Sequence, residues 1–174
     1  GCHFFHPLPS GEHDERRSGI GNVNDLQMRD TSSKPRILMV DNDQRVRDSY
    51  EALLKYWGYE PILAFGEGQA LSADALDKAK RSRCVLALID LRLTDDYNDD
   101  DYSGLKLAEE IRPIKSIVLS GFQNQKILRE MLEKYKDIPF LSKSDAPEKR
   151  KLILDTEVGK VCAVKRGLQI NPPE

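Results

Sequence analysis

From residue 34 onward, short apolar runs alternate with longer segments whose apolar residues recur every three to four positions. The runs fall at residues 36–41, 60–64, 83–90, 115–120 and 138–142. They are continuously apolar rather than alternating, as strands covered on both faces require. Pro61 suits a strand start or an edge. Segment 44–57 sets Val46, Tyr50, Leu53, Leu54 and Trp57 on one helical face and meets Gly58 as a stop. Segment 67–81 is a weaker helix rich in Ala and Leu, and 104–112 is a short one closed by Pro113. Segment 124–135 aligns Ile127, Leu128, Met131, Leu132 and Tyr135; segment 147–164 aligns Leu154, Val158, Val161 and Cys162.

This alternation predicts an α/β fold: a doubly wound, five-stranded parallel sheet with helices on both faces and right-handed crossovers. The expected domain is 35–165. Residues 1–34 show no periodicity and hold all three histidines, so they read as a flexible leader or tail. Residues 166–174 read as a C-terminal tail or a truncated linker. Cys2, His3, His6 and His13 match no standard zinc spacing. Gly19-Ile20-Gly21 is no dinucleotide fingerprint, since no strand precedes it and Asn24 stands at the third glycine position.

Composition narrows the classes. The 174 residues are 39% hydrophobic, enough for one core. With 27 basic and 29 acidic side chains the net charge is −2, which argues against a DNA-coating protein. One helix and a tail after residue 145 are too little for a helix-turn-helix, so no direct nucleic-acid binding is expected. No apolar run approaches the ~20 residues of a membrane helix. Three widely spaced cysteines form no CxxC pair, and the expected compartment is the reducing cytoplasm.

In open α/β sheets, ligands bind beyond the carboxyl ends of the strands. The first run ends at Asp41, followed by Asn42 and Asp43. The third ends at Asp90, the fourth at Ser120, and the fifth reaches Lys143 through Ser142. Two carboxylates, a hydroxyl and an amine thus converge on one edge. Clustered carboxylates need a cation, and oxygen donors favour Mg²⁺, which takes one or two carboxylates plus phosphate oxygens. The set suits phosphoryl transfer, in which a carboxylate can be the nucleophile. Taken singly, each residue has a plain structural role: Asp43 before Gln44 is a helix cap, for instance.

Residues 35 to about 165 resemble a response-regulator receiver domain, the phospho-acceptor module of two-component signalling. The resemblance rests on Ile37-Leu38-Met39-Val40-Asp41-Asn42-Asp43 with Arg47, on Leu88-Ile89-Asp90-Leu91-Arg92-Leu93, and on Ser103-Gly104-Leu105-Lys106-Leu107. Ile117-Val118-Leu119-Ser120 and Phe140-Leu141-Ser142-Lys143 complete it. It implies a flavodoxin-like strand order 2-1-3-4-5; a receiver is the reference case for that order. It also implies that Asp90 accepts a phosphoryl group from a sensor histidine kinase or phosphotransfer protein. Asp41, Asn42, Asp90 and the backbone carbonyl of Arg92 would hold Mg²⁺. Lys143 and Ser120 would contact phosphoryl oxygens, and Ser120 with Phe140 would form the switch. The expected output face, made by the helix at 124–135, the fifth strand and the last helix, would meet an output domain, a partner protein or a second copy.

The chain departs from that pattern in four places. Asn42 replaces the second acid of the usual pair and brings no negative charge. Ser144 replaces the proline that usually follows the lysine. Phe140 has no hydroxyl, so it can switch by packing alone. The loop from Thr94 to Tyr102 is about six residues longer than usual and holds Asp95, Asp96, Asp99, Asp100 and Asp101. It is either a solvated acidic loop or the source of the charge lost at Asn42. Two other functions remain open at this level. A pseudo-receiver would bind protein without phosphorylation, as Asn42 and Ser144 favour. A haloacid dehalogenase-like phosphatase would use Asp41 as nucleophile and Asp43 as general acid.

Overall fold

The computed structural model describes residues 33–95, 97–98, 100–121, 133–165 and 167. The chain divides into Gly1–Ser33 and Lys34–Glu174, and every element described lies in the second unit. The strands are β1 (Arg36–Val40), β2 (Glu60–Leu63), β3 (Leu86–Asp90), β4 (Lys115–Ser120) and β5 (Phe140–Ser142). The helices among the described residues are α1 (Gln44–Tyr56), α2 (Gly68–Arg81), α3 (Ser103–Glu110) and α4 (Pro147–Lys165). The helix expected at 124–135 falls largely on residues 122–132, outside the described residues.

The five strands form one parallel sheet in the order β2-β1-β3-β4-β5, the flavodoxin-like order. Each inner strand is buried on both faces, which accounts for its unbroken apolar run. Leu38, Val40, Ala87, Ile89 and Val118 pack under α2 and α3, with Leu71, Ala75, Leu105 and Ala108. Ile37, Met39, Leu86, Leu88, Ile117 and Leu119 pack under α1 and α4, with Tyr50, Leu54, Leu154 and Val158. Neighbours in sequence therefore serve opposite layers, as the two-residue period of a strand dictates. Pro61, which has no N–H to give, sits on the edge strand β2.

Local chemistry sets the element ends. Asp43 is in an extended conformation and accepts a hydrogen bond from the Arg45 N–H, so it caps α1. Gly58, at φ 91°, carries the chain out of α1 in a conformation that side chains resist. Strand β3 begins at Leu86 rather than at residue 83, because Arg83 takes a left-handed conformation beyond the Ser82 cap of α2. Strand β5 begins at Phe140 rather than 138, because the Ile138 N–H closes a turn on the Tyr135 carbonyl.

Candidate functional site

The parallel register brings the carboxyl ends of β1, β3, β4 and β5 to one edge. Asp90 pairs with Leu119, and Ser120 with Ser142. Backbone bonding continues one step past the strands: Leu91 N–H donates to Leu119 O at 2.9 Å, and Lys143 N–H donates to Ser120 O at 2.9 Å. Lys143 is thereby aimed across the edge. Its Nζ lies 2.8 Å from Asp41 Oδ2 and 2.9 Å from Asp90 Oδ1. Asp41 is fully buried, and Asp90 and Ser120 are each 4% exposed. Burial alone would lower the Lys143 amine, but the carboxylates of Asp90 and Asp41 outweigh it and hold the amine above its ordinary value. Two carboxylates thus share one ammonium.

Three further side groups hold this arrangement. The other Asp41 oxygen, Oδ1, accepts from the Asp43 N–H at 2.9 Å. The Arg47 guanidinium donates to the backbone carbonyls of Asp41 at 2.6 Å and Asn42 at 3.1 Å, and its carbon lies 5.7 Å from the centre of the Phe65 ring. Gly104 N–H donates to Leu91 O at 3.0 Å, and its Cα passes so close to β3 that an added Cβ would lie 1.9 Å from the Asp90 carbonyl oxygen. Arg47 and Gly104 carry no role in the sequence reading beyond membership of the motifs. A signal for Arg47 was present: it occupies a core-facing position of α1, in line with Tyr50 and Leu54, where an apolar residue belongs.

The structure brings together Asp41, Asp90, Ser120 and Lys143, with Asn42 beside them after β1 and Arg92 two residues past Asp90. Phe140 is half-buried on β5, pairs with Val118 and packs on the α2–α3 layer. After Lys143 the chain turns: Asp145 N–H donates to Ser142 O, Ser142 N–H to Asp145 Oδ2, and the Ser142 and Ser144 hydroxyls lie 2.7 Å apart. Asp43 has its carboxyl held below the usual range by the side chain and backbone N–H of Arg45. That engagement fits a helix cap better than the general acid of a phosphatase.

The long acidic loop has a structural centre in Asp101. Its Oδ2 accepts from the N–H groups of Thr94 at 2.9 Å and Asp95 at 2.8 Å, and its Oδ1 from that of Ser103 at 2.9 Å. Burial would raise this carboxyl, but the hydrogen bonds from Ser103, Asp95 and Thr94 prevail and lower it. Asp101 therefore staples the loop and ties it to Ser103, the first residue of α3. Asp95 likewise turns its Oδ1 to the Tyr97 N–H. Asp96 and Asp99 lie outside the described residues. Replacing Asp101 with Ala is expected to cost about 1–2 kcal/mol. Hydrogen exchange at the amides of Thr94, Asp95 and Ser103 should accelerate together. Because the folded carboxyl is depressed, the contribution is complete above the unfolded value near pH 4 and fades as pH falls further.

The donors fit a hard divalent cation. Asp41 and Asp90 would supply carboxylates, Asn42 an amide oxygen and Arg92 a backbone carbonyl, to a set that Mg²⁺ would complete with water and phosphate oxygens. Among the described residues, no group of three or more His, Cys, Asp or Glu is placed to hold a metal ion. The missing third acid is Asn42, and any metal must share both carboxylates with Lys143. No described helix is long and apolar enough to cross a membrane.

No family profile and no curated protein matches the chain. Solved structures do. A CheY-like response regulator receiver domain protein from Methanospirillum hungatei is 25% identical, with a TM-score of 0.57, over 74% of this chain and 97% of its own. The signal receiver domain of a putative Luxo repressor from Vibrio parahaemolyticus is 18% identical, with a TM-score of 0.58, over 79% and 99%. The signal receiver domain of an HD domain-containing protein from Pseudomonas fluorescens is 18% identical, with a TM-score of 0.58, over 75% and 98%. The chain has the fold of these receiver domains, and its five strands follow the receiver order.

Proposed function

We propose that the chain is a phospho-acceptor receiver of two-component signalling and that Asp90 is the residue phosphorylated. One observation carries this reading: Lys143 Nζ bridges the buried carboxylates of Asp41 and Asp90 at the carboxyl edge of the sheet, where Ser120 ends the neighbouring strand. An Asp90 oxygen attacks phosphorus; an O–P bond forms while the P–N bond of a phosphohistidine breaks, its electron pair staying with the imidazole. Lys143 then moves its charge from a carboxylate to a phosphoryl oxygen, and the Ser120 hydroxyl donates to another. Asp41, Asp90, the Asn42 amide and the Arg92 carbonyl would hold Mg²⁺, whose contribution when bound is to neutralise phosphoryl charge. Asn42 weakens that binding by one negative charge. The donor is a cytoplasmic sensor kinase or phosphotransfer protein. The signal leaves through β5 and α4 to an output domain, a partner or a second copy, with Ser120 and Phe140 changing packing.

The test is intact mass after incubation with acetyl phosphate and Mg²⁺. The expected result is a single phosphoryl adduct that requires Mg²⁺, is lost in Asp90→Asn and forms faster in Asn42→Asp. An adduct that survives Asp90→Asn would overturn the assignment. The same substitution at Asn42 serves the one rival with an observation behind it, a pseudo-receiver that binds protein without phosphorylation. An adduct in Asn42→Asp alone would establish that rival.

A further inference from the structure

A cavity of about 320 Å³ lies at the opposite edge of the sheet from Asp90. Its walls come from the carboxyl ends of α2 and α3 and from the segments that lead into β3 and β4. Four exposed cationic residues, Lys80, Arg83, Arg112 and Lys165, stand in its lining against one acid, Glu110, and the rest of the wall is apolar. Arg112 is paired with Asp137 at 2.6 Å, and Glu110 faces Lys106 at 3.9 Å. Among the described residues, Lys80, Arg83 and Lys165 have no ion-pair partner.

Like charges around one cavity repel, so their gathering needs a cause. A cation in the last turn of a helix meets the negative end of its dipole, and this accounts for Lys80 in α2 and Lys165 in α4. It does not account for Arg83, which stands just past the Ser82 cap at φ 51°. Glycine takes that conformation freely and is the usual residue there, whereas a side chain resists it. The backbone position favours glycine, yet it carries a guanidinium that lines the cavity. A second cavity of about 310 Å³ shares the wall of residues 112–114. In it the Ser116 hydroxyl is buried with no hydrogen-bond partner, which again suits a polar occupant.

We propose that this basic cavity is an anion site for a phosphate-bearing small molecule, held by Lys80, Arg83 and Lys165. It is independent of the Asp90 site and lies across the sheet from it. The test is calorimetric titration of the full chain with inorganic pyrophosphate, without Mg²⁺ and at constant ionic strength. Saturable one-to-one binding is expected. Arg83→Gly should weaken it at least tenfold while raising the melting temperature by about 2–4 °C, since the strain at this residue is relieved. Lys165→Gln should weaken it severalfold, and Lys55→Gln, on exposed α1, should leave it unchanged. Absence of saturable binding, or an Arg83→Gly variant that binds as tightly as the wild type, would overturn the proposal.

Discussion

Lys143→Met is expected to lower the unfolding free energy by about 3 kcal/mol at pH 7, with the deficit shrinking as pH falls. The wild-type ammonium sits 2.8 and 2.9 Å from two carboxylates that water hardly reaches. Removing one partner of a buried ion pair costs about 3–5 kcal/mol, because the other charge stays behind without compensation. The Lys143 side chain is 25% exposed, so the lower end of that range applies. Without the cation, Asp41 and Asp90 repel each other in a buried site, and their carboxyls rise. A group whose folded pKa lies above its unfolded value gains stability as it takes up its proton. The variant should therefore recover as pH falls towards the unfolded carboxylate value near 4. In the wild type the linkage runs through Lys143 itself. Its folded amine is raised above the ordinary 10.5, so its contribution is complete below that value and disappears as pH climbs through the folded one. Urea denaturation across pH, read by the single Trp57, checks both limbs. A variant with a flat acid limb and an unchanged midpoint at pH 7 would show that the two carboxylates are not coupled through this lysine. Adding Asp41→Asn and Asp90→Asn to Lys143→Met should restore most of the loss, since no buried charge is then left unmatched.

Gly104→Val should be as damaging, by a route that involves no charge. A Cβ at residue 104 would lie 1.9 Å from the Asp90 carbonyl oxygen, 2.8 Å from its carbon and 2.9 Å from the Leu91 carbonyl oxygen. All three are backbone atoms of the central strand or its end, so no side chain can swing aside. Either α3 moves off the sheet or β3 shifts at its carboxyl end, and in each case the Gly104 N–H loses its bond to Leu91 O. Forced overpacking of this kind costs about 1–3 kcal/mol and more where nothing can yield. We expect at least 3 kcal/mol, a large part of the roughly 5–15 kcal/mol that holds a domain of this size. Because the clash falls on Asp90 itself, phosphoryl uptake should drop further than the folded fraction does. Equal losses in both would mean that the clash is absorbed by α3 alone.

Several features of the site were legible from residue order because they depend on position along a strand. An acid that closes an apolar run must stand at a strand end, and parallel strands send all their carboxyl ends to one edge. Asp41, Asp90, Ser120 and Lys143 follow from that rule and from the βα alternation. Other features depend on which backbone passes which, and no period in the sequence reports that. The long loop shows only a run of acids. Only its folded path sets the oxygens of Asp101 against the N–H groups of Thr94, Asp95 and Ser103. Arg47 entered the sequence reading only as a motif residue; its partners, the carbonyls of Asp41 and Asn42, lie back along the chain at the other side of a cap.

The sequence by itself determined the fold class, the alternation of strands and helices, and the residues delivered to the carboxyl edge. These follow from local periodicity and from the burial that each run demands. Only the tertiary structure decided that one lysine is shared between two carboxylates. It also decided that Gly104 must be bare because β3 lies against it, and that Arg83 sits in a left-handed turn over a basic cavity. Such facts are distances between segments far apart in the chain, set by how the helices pack on the sheet.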